Sequence, residues 1–173
     1  MPLDRSFYAR PTVEVARGLL GKVIRHAQAF ARIVEVEAYL GQDDDAAHSA
    51  RGLTRRTRAI FGPPGHAYVY LIYGMHHCLN IVAEPEGVAG CVLIRAVEPL
   101  RGITRAANGP GKLTRALGIT LEHYGADLTR GPLTVHEAAA GEAFEIAVSR
   151  RIGITKAQEL PLRFFIAGNR FVS

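Results

Sequence analysis

Glu37 and Arg95 are the residues of this sequence best suited to move a proton. Glu37 falls near the end of RIVEVEA (32–38), and Arg95 lies inside CVLIRAV (91–97), an otherwise apolar stretch. A guanidinium in such a setting requires a carboxylate or phosphate partner. Paired, the two groups could hold a water, the carboxylate taking its proton and the guanidinium fixing its position. An internal salt bridge satisfies the same residue types, and structural ion pairs outnumber catalytic ones. Around the same strand end fall Tyr39, His48, Tyr68 and Tyr70, with Asn80 on the expected facing strand. Flat rings with an amide edge suit a planar heterocycle such as a base; any single tyrosine suits a sheet core as well. Tyr73 comes just before a Gly-Met turn, on the face opposite Tyr68 and Tyr70, where burial is hardest. An aromatic side chain there can enter and unstack a base step, or pack on its own neighbours.

Positive charge gathers at Arg51, Arg55, Arg56 and Arg58, and again at Lys112 and Arg115 on a helix opened by Pro110. The free N–H groups of that helix start suit a phosphate, although a charge run is commonly just a solvated face. His48, His76, Cys78 and Cys91 are the conceivable metal ligands. HExxH, CxxC and spaced Cys/His sets are absent, so neither a metal nor another cofactor is expected. GxGxxG, the P-loop pattern and GxSxG are absent too, which removes the common nucleotide-binding and serine-nucleophile chemistries.

The elements that must position these groups are mostly strands. Residues 11–20 read as a helix, 22–26 and 31–36 as strands, and 41–58 as a long irregular segment. A hairpin follows, turning at Gly74–Met75, with Tyr68, Tyr70 and Ile72 on one face and His76, Cys78, Asn80 and Val82 sharing a face of the return strand. A strand over 91–97, a helix over 108–118, and strands over 133–136, 144–148 and 162–166 complete an α+β fold around a curved antiparallel sheet. Alternation places Glu35, Glu37 and Tyr39 on one face, with Glu35 too far along the strand to act with Glu37.

The chain has 173 residues, 48% hydrophobic and 21% charged, which suits one folded domain and excludes wholesale disorder. No apolar run approaches the roughly 20 residues of a membrane span. MPLDRSFYAR has no apolar leader core, and the two cysteines make no disulfide framework, so a cytoplasmic monomer without membrane association is expected. Lys+Arg 21 against Asp+Glu 16 leaves +5, compatible with a polyanionic partner and with none.

Five ordered blocks now carry a resemblance: RIVEVEAYLGQDDDAAHS (32–49), YVYLIYGMHHCLNI (68–81), CVLIRAVEPL (91–100), NGPGKL (108–113) and PLRFFIAGNRFVS (161–173). Together they resemble the alkyladenine (3-methyladenine) DNA glycosylase family over essentially its catalytic domain. The resemblance implies one α+β domain with flanking helices and a protruding, DNA-intercalating hairpin. It implies cofactor-free hydrolysis of the N-glycosidic bond of alkylated or deaminated purines (3-methyladenine, 7-methylguanine, hypoxanthine) flipped out of double-stranded DNA. Glu37 would be the general base, and Arg95 would position the water and the nearby backbone. Tyr39, His48 and Tyr70 would enclose the base, Tyr68 would support them, and Asn80 would clash with the amino group of normal guanine. Tyr73 would fill the vacated stack beside Met75, with His76, Arg55, Arg58 and Lys112 meeting the DNA. His76 and His77 stand where the family commonly has aromatic residues, and Gly111 where a serine is common. A non-catalytic binder of damaged nucleic acid and a metal-dependent nucleoside hydrolase are the competing readings.

Overall fold

The alternation of residues 29–39 builds the spine of the molecule, β2 (Ala29–Tyr39). A computed structural model describes residues 1–141 and 143–173. Along one edge β2 pairs with β5 (Gly90–Arg101); its other edge is shared by β1 (Val23–His26) and then β8 (Arg163–Ile166). Two strands leaving one edge in succession curl the sheet. β3 (Ala67–Ile72) and β4 (His76–Ala83) continue it beyond β5, while β6 (Leu133–His136) borders β1 and β7 (Ile146–Ser149) borders β8. All pairings are antiparallel.

Two helices of eight residues cover one face: α2 (Thr12–Leu19) on β2 and β5, and α3 (Pro110–Leu117) on β4 and β5. Between them and the sheet lies the main core, which includes Val34, Val36, Ile81, Val92 and Ile94. A single helical turn, α1 (Arg5–Tyr8), precedes them, capped by the Asp4 carboxylate accepting from the Ser6 N–H. Four residues carry no readable period, which is why α1 escapes sequence reading. Gly118, with φ +70, stops α3 in the left-handed conformation, as Gly after a helix commonly does. The architecture is the expected α+β arrangement, a curled antiparallel sheet with few helices.

Element edges differ from expectation where periodicity is weakest. The first long helix begins at Thr12 rather than Pro11, which caps it. The strand expected over 31–36 runs from Ala29 to Tyr39, and the one expected at 144 begins at Ile146. Residues 41–58 hold only a 3₁₀ turn, His48–Arg51. No described helix is long and apolar enough to cross a membrane.

A second, smaller cluster occupies the opposite face of the sheet, under the long 40–66 segment. It joins Ile60, Tyr68, Val82, Ala89 and Cys91 with half-buried Tyr39, Tyr70 and Tyr124. The candidate site is built on this cluster.

Candidate active site

Register places the site. Tyr68 on β3 is opposite Asn80 on β4, Asn80 is opposite Leu93 on β5, Leu93 is opposite Glu37 on β2, and Glu37 is opposite Arg163 on β8. Residues directly opposite in antiparallel strands share a face. One row across five strands therefore brings Tyr68, Asn80 and Glu37 together, although they are far apart in sequence. The rows on its two sides add Tyr39 opposite Cys91 on one, and Tyr70 opposite Cys78 on the other.

Glu37 is fully buried. Its Oε1 accepts from the Tyr39 hydroxyl at 2.9 Å, and its Oε2 accepts from the Ile152 N–H at 2.7 Å. A carboxylate has about four lone-pair positions, so acceptor capacity remains for a water. Burial raises the Glu37 carboxyl above the ordinary glutamate range, against the lowering pull of Arg95, the Ile152 N–H and Tyr39; Glu35 adds to the rise. A raised pKa makes a better proton acceptor.

Arg95 does not reach Glu37 as closely as expected. Its Nη1 lies 3.7 Å from Glu37 Oε1, while its Nε donates to Glu35 Oε1 at 3.0 Å. The β2–β5 pairing is irregular at this point. Val36 opposes Ile94 and Glu35 opposes Ala96, leaving Arg95 with no partner of its own on β2. The irregularity is local: Val34 is likewise left without a partner on β5, and Ile33–Val97 on one side and Val36–Ile94 on the other keep the same register. Glu35, also fully buried, is the primary partner of Arg95. Arg163 Nε and the Ser173 N–H and hydroxyl bond the same carboxylate. Burial would push Glu35 up, but Arg163 and Ser173 outweigh it and hold the group below the ordinary range.

The aromatic groups converge. His48 and Tyr70 meet edge to face with ring centres 4.5 Å apart, and Tyr68 lies tilted against Tyr70 at 5.5 Å. His48 Nδ1 is 2.8 Å from the Tyr68 hydroxyl. Burial, helped by Arg56 and Arg51, lowers His48 to about 4, so the imidazole is neutral at pH 7. Asn80 is buried; its Nδ2 donates to the Tyr68 carbonyl at 3.3 Å. Arg56 stands with its guanidinium 5.2 Å from the centre of the Tyr70 ring.

Two groups invisible to sequence reasoning hold this assembly. Arg151, fully buried, binds both oxygens of Asp44 and lies 4.7 Å from the Tyr39 ring centre. The next residue supplies the Ile152 N–H to Glu37. Asp44 lies in an acidic run and Arg151 in a basic one, so neither carries a local signal. Arg163 does carry one: an arginine within LRFFI, the same pattern that singles out Arg95.

The remaining candidates lie at the β3–β4 turn and its surroundings. Tyr73 and Gly74 both have positive φ, +53 and +66, as the primed hairpin turns require. Tyr73 is 86% exposed and Met75 67%. The Tyr73 position is the turn itself rather than the strand end expected before it. His76 packs on α3, where a Cβ at Gly111 would come within 3.1 Å of its ring. Arg55, Arg58 and Lys112 are exposed. Among the described residues no three His, Cys, Asp or Glu side chains gather as metal ligands.

The sequence matches the family described as methylpurine-DNA glycosylase over residues 6–170. A protein of Methanoculleus marisnigri is 48% identical over 191 residues, covering 100% of this chain and 99% of its own. One from Alkaliphilus oremlandii is 48% identical over 201 residues with the same coverage. One from Legionella pneumophila is 47% identical over 178 residues, covering 99% of this chain and 97% of its own. All three bear, provisionally, the name 3-methyladenine DNA glycosylase.

Proposed function

Because the chain belongs to the methylpurine-DNA glycosylase family, and so is a DNA glycosylase acting on alkylated bases, we propose how it selects and releases them. The damaged purine, 3-methyladenine foremost, leaves the duplex and enters between Tyr39 on one side and the His48–Tyr70 pair on the other. An N-alkylated purine is cationic and electron-poor, so the ring faces attract it beyond simple stacking. Neutral His48 adds no opposing charge. Asn80, whose Nδ2 is already committed to the Tyr68 carbonyl, limits the room on one purine edge.

A water held by Glu37 and Arg95 attacks C1′. The new C1′–O bond forms as the C1′–N9 bond breaks, the base leaves with the bonding pair, and the water proton passes to Glu37. For a cationic base the departing group is thereby neutral, so no acid is needed. The products are free base and an abasic site. 7-Methylguanine also leaves without an acid, but its 2-amino group meets Asn80, so it reacts more slowly than 3-methyladenine. Hypoxanthine, a neutral base, requires a proton on departure and therefore reacts more slowly.

Tyr73 fills the vacated stack, with Met75 beside it. Its backbone supports that role: a non-glycine residue at φ +53 costs roughly 1–3 kcal/mol, and nothing in the turn itself calls for a bulky ring there. Arg55, Arg58, His76 and Lys112 meet the DNA backbone. The single observation carrying the mechanism is a buried carboxylate with spare acceptor capacity, raised by burial, beside Arg95 and the aromatic slot. The test is release of 3-methyladenine from duplex DNA by the purified chain in EDTA. A chain that frees no base overturns the proposal, and loss of activity in EDTA alone favours metal-dependent hydrolysis.

A further inference from the structure

We propose that Glu35 is a positioning residue for the hydrolysis: it anchors Arg95 through Nε so that the opposite edge of the guanidinium addresses the water beside Glu37. The inference rests on the mechanism proposed above. Its basis is an asymmetric sharing of one arginine. Arg95 spends its Nε on Glu35 at 3.0 Å, leaving Nη1 3.7 Å from Glu37. That second distance exceeds direct hydrogen-bond contact and admits a third partner on the guanidinium edge.

A lone buried Arg–Glu37 pair would close into a direct bond, because two opposite charges of low solvation attract strongly. The carboxylate would then lose basicity and the arginine its free edge. Glu35 prevents that collapse by offering a second, better-placed carboxylate. Glu35 is itself held rigidly by Arg163 at 2.8 Å and by Ser173 through both its N–H and its hydroxyl. Two carboxylates on one face thus divide the work: Glu35 is permanently ionised as an anchor, and Glu37 is kept basic as the acceptor. Arg95 lies at a local irregularity of the β2–β5 pairing, between the pairs Glu35–Ala96 and Val36–Ile94.

The charged and titratable groups around Glu37 are few. Glu35 and Tyr39 come from its own strand, Arg95 from β5, Arg163 from β8, and Arg151 with Asp44 from the loops that cover it. Removing the Glu35 charge therefore has a signed consequence. Arg95 turns to Glu37, the neighbouring negative charge disappears, and Glu37 ionises more readily.

The experiment is single-turnover release of 3-methyladenine from duplex DNA as a function of pH for wild type, Glu35→Gln and Glu35→Asp. For Glu35→Gln we expect a plateau rate roughly ten- to a hundredfold lower, the usual penalty for a displaced reacting geometry. Its acid limb should also move to lower pH by about one pH unit. Glu35→Asp, which keeps the charge, should restore the position of the limb and part of the rate. The double variant with Glu37→Gln should lose no more than Glu37→Gln alone, since Glu35 acts only through that step. If Glu35→Gln does not fold, Arg95→Lys supplies the reading, because one ammonium cannot serve both carboxylates. With the lysine drawn to Glu35, the acid limb should move to higher pH, the opposite direction. A folded Glu35→Gln with the wild-type plateau and limb overturns the anchoring role while leaving the glycosylase mechanism intact. If Glu35→Gln does not fold, an unmoved limb in Arg95→Lys does the same. A wild type that releases no base overturns both.

Discussion

Replacing Glu37 with glutamine should separate activity from stability in opposite directions. The amide oxygen introduced there can still accept from the Ile152 N–H, and the amide NH₂ then faces Tyr39, whose hydroxyl can turn from donor to acceptor. The pocket therefore survives the substitution, while the only proton acceptor beside the free edge of Arg95 is lost. Removing a general base costs about 10²–10⁴-fold, or about 3–5 kcal/mol of barrier. A cationic leaving group needs least help, so 3-methyladenine should lie near the lower figure and hypoxanthine near the upper one.

Stability follows from the raised carboxyl. Its pKa in the folded chain exceeds the ordinary 4.5, so the folded state binds more protons between the two values. Its favourable contribution is complete below 4.5 and is lost as pH rises through the folded value. At pH 7, above the ordinary value, the burial of this carboxyl weighs against folding, and a neutral amide removes that burden. Glu37→Gln should therefore melt at the same temperature as wild type or higher at pH 7, with the advantage vanishing below pH 4.5. Thermal melts across pH and single-turnover release on the same preparations measure both quantities. A variant within about threefold of the wild-type rate, or one that melts well below wild type at pH 7, would refute the reasoning.

Three further outcomes are expected. Tyr73→Asn exchanges a strained ring for a residue that tolerates positive φ, so the fold should hold or gain up to about 1 kcal/mol. Its excision from duplex DNA should slow about tenfold, with a smaller loss on single-stranded DNA, which has no stack to hold open; equal rates on duplex would remove Tyr73 from the mechanism. His48 should titrate near 4 by NMR rather than 6.5. Because the unfolded chain binds that proton more readily, stability should fall as pH drops from 6.5 towards 4, and His48→Asn should flatten that stretch of the curve. Asp44→Asn strips the partner from Arg151, whose side chain is fully buried. It should cost about 3–5 kcal/mol in urea unfolding; a loss below about 1 kcal/mol would show that the pair is dispensable.

Local pattern carried much of the site. The alternation in residues 68–72 and 76–82 sets Tyr68 and Tyr70 on the face shared with Asn80 and Cys78, and the register pairs them as that pattern requires. Pro110 and Gly118 bound their helix closely. An arginine inside an apolar strand announced its need for a carboxylate, and the same rule applied to Arg163 would have found a second. Which carboxylate answers is another matter. It depends on how β2 and β5 pair around Arg95, which no pattern within either strand records.

By itself, then, the sequence determined the residue types, the strand faces and the family blocks, because those depend on near neighbours along the chain. Only the tertiary structure decided that Arg95 belongs first to Glu35. It also decided that the Ile152 N–H reaches Glu37 from 115 residues away and that Asp44 closes on Arg151 across 107. Such contacts arise from strand register and loop closure, which no local periodicity records. They also set the proton affinity of Glu37, since that affinity depends on the burial and charges assembled around the carboxylate.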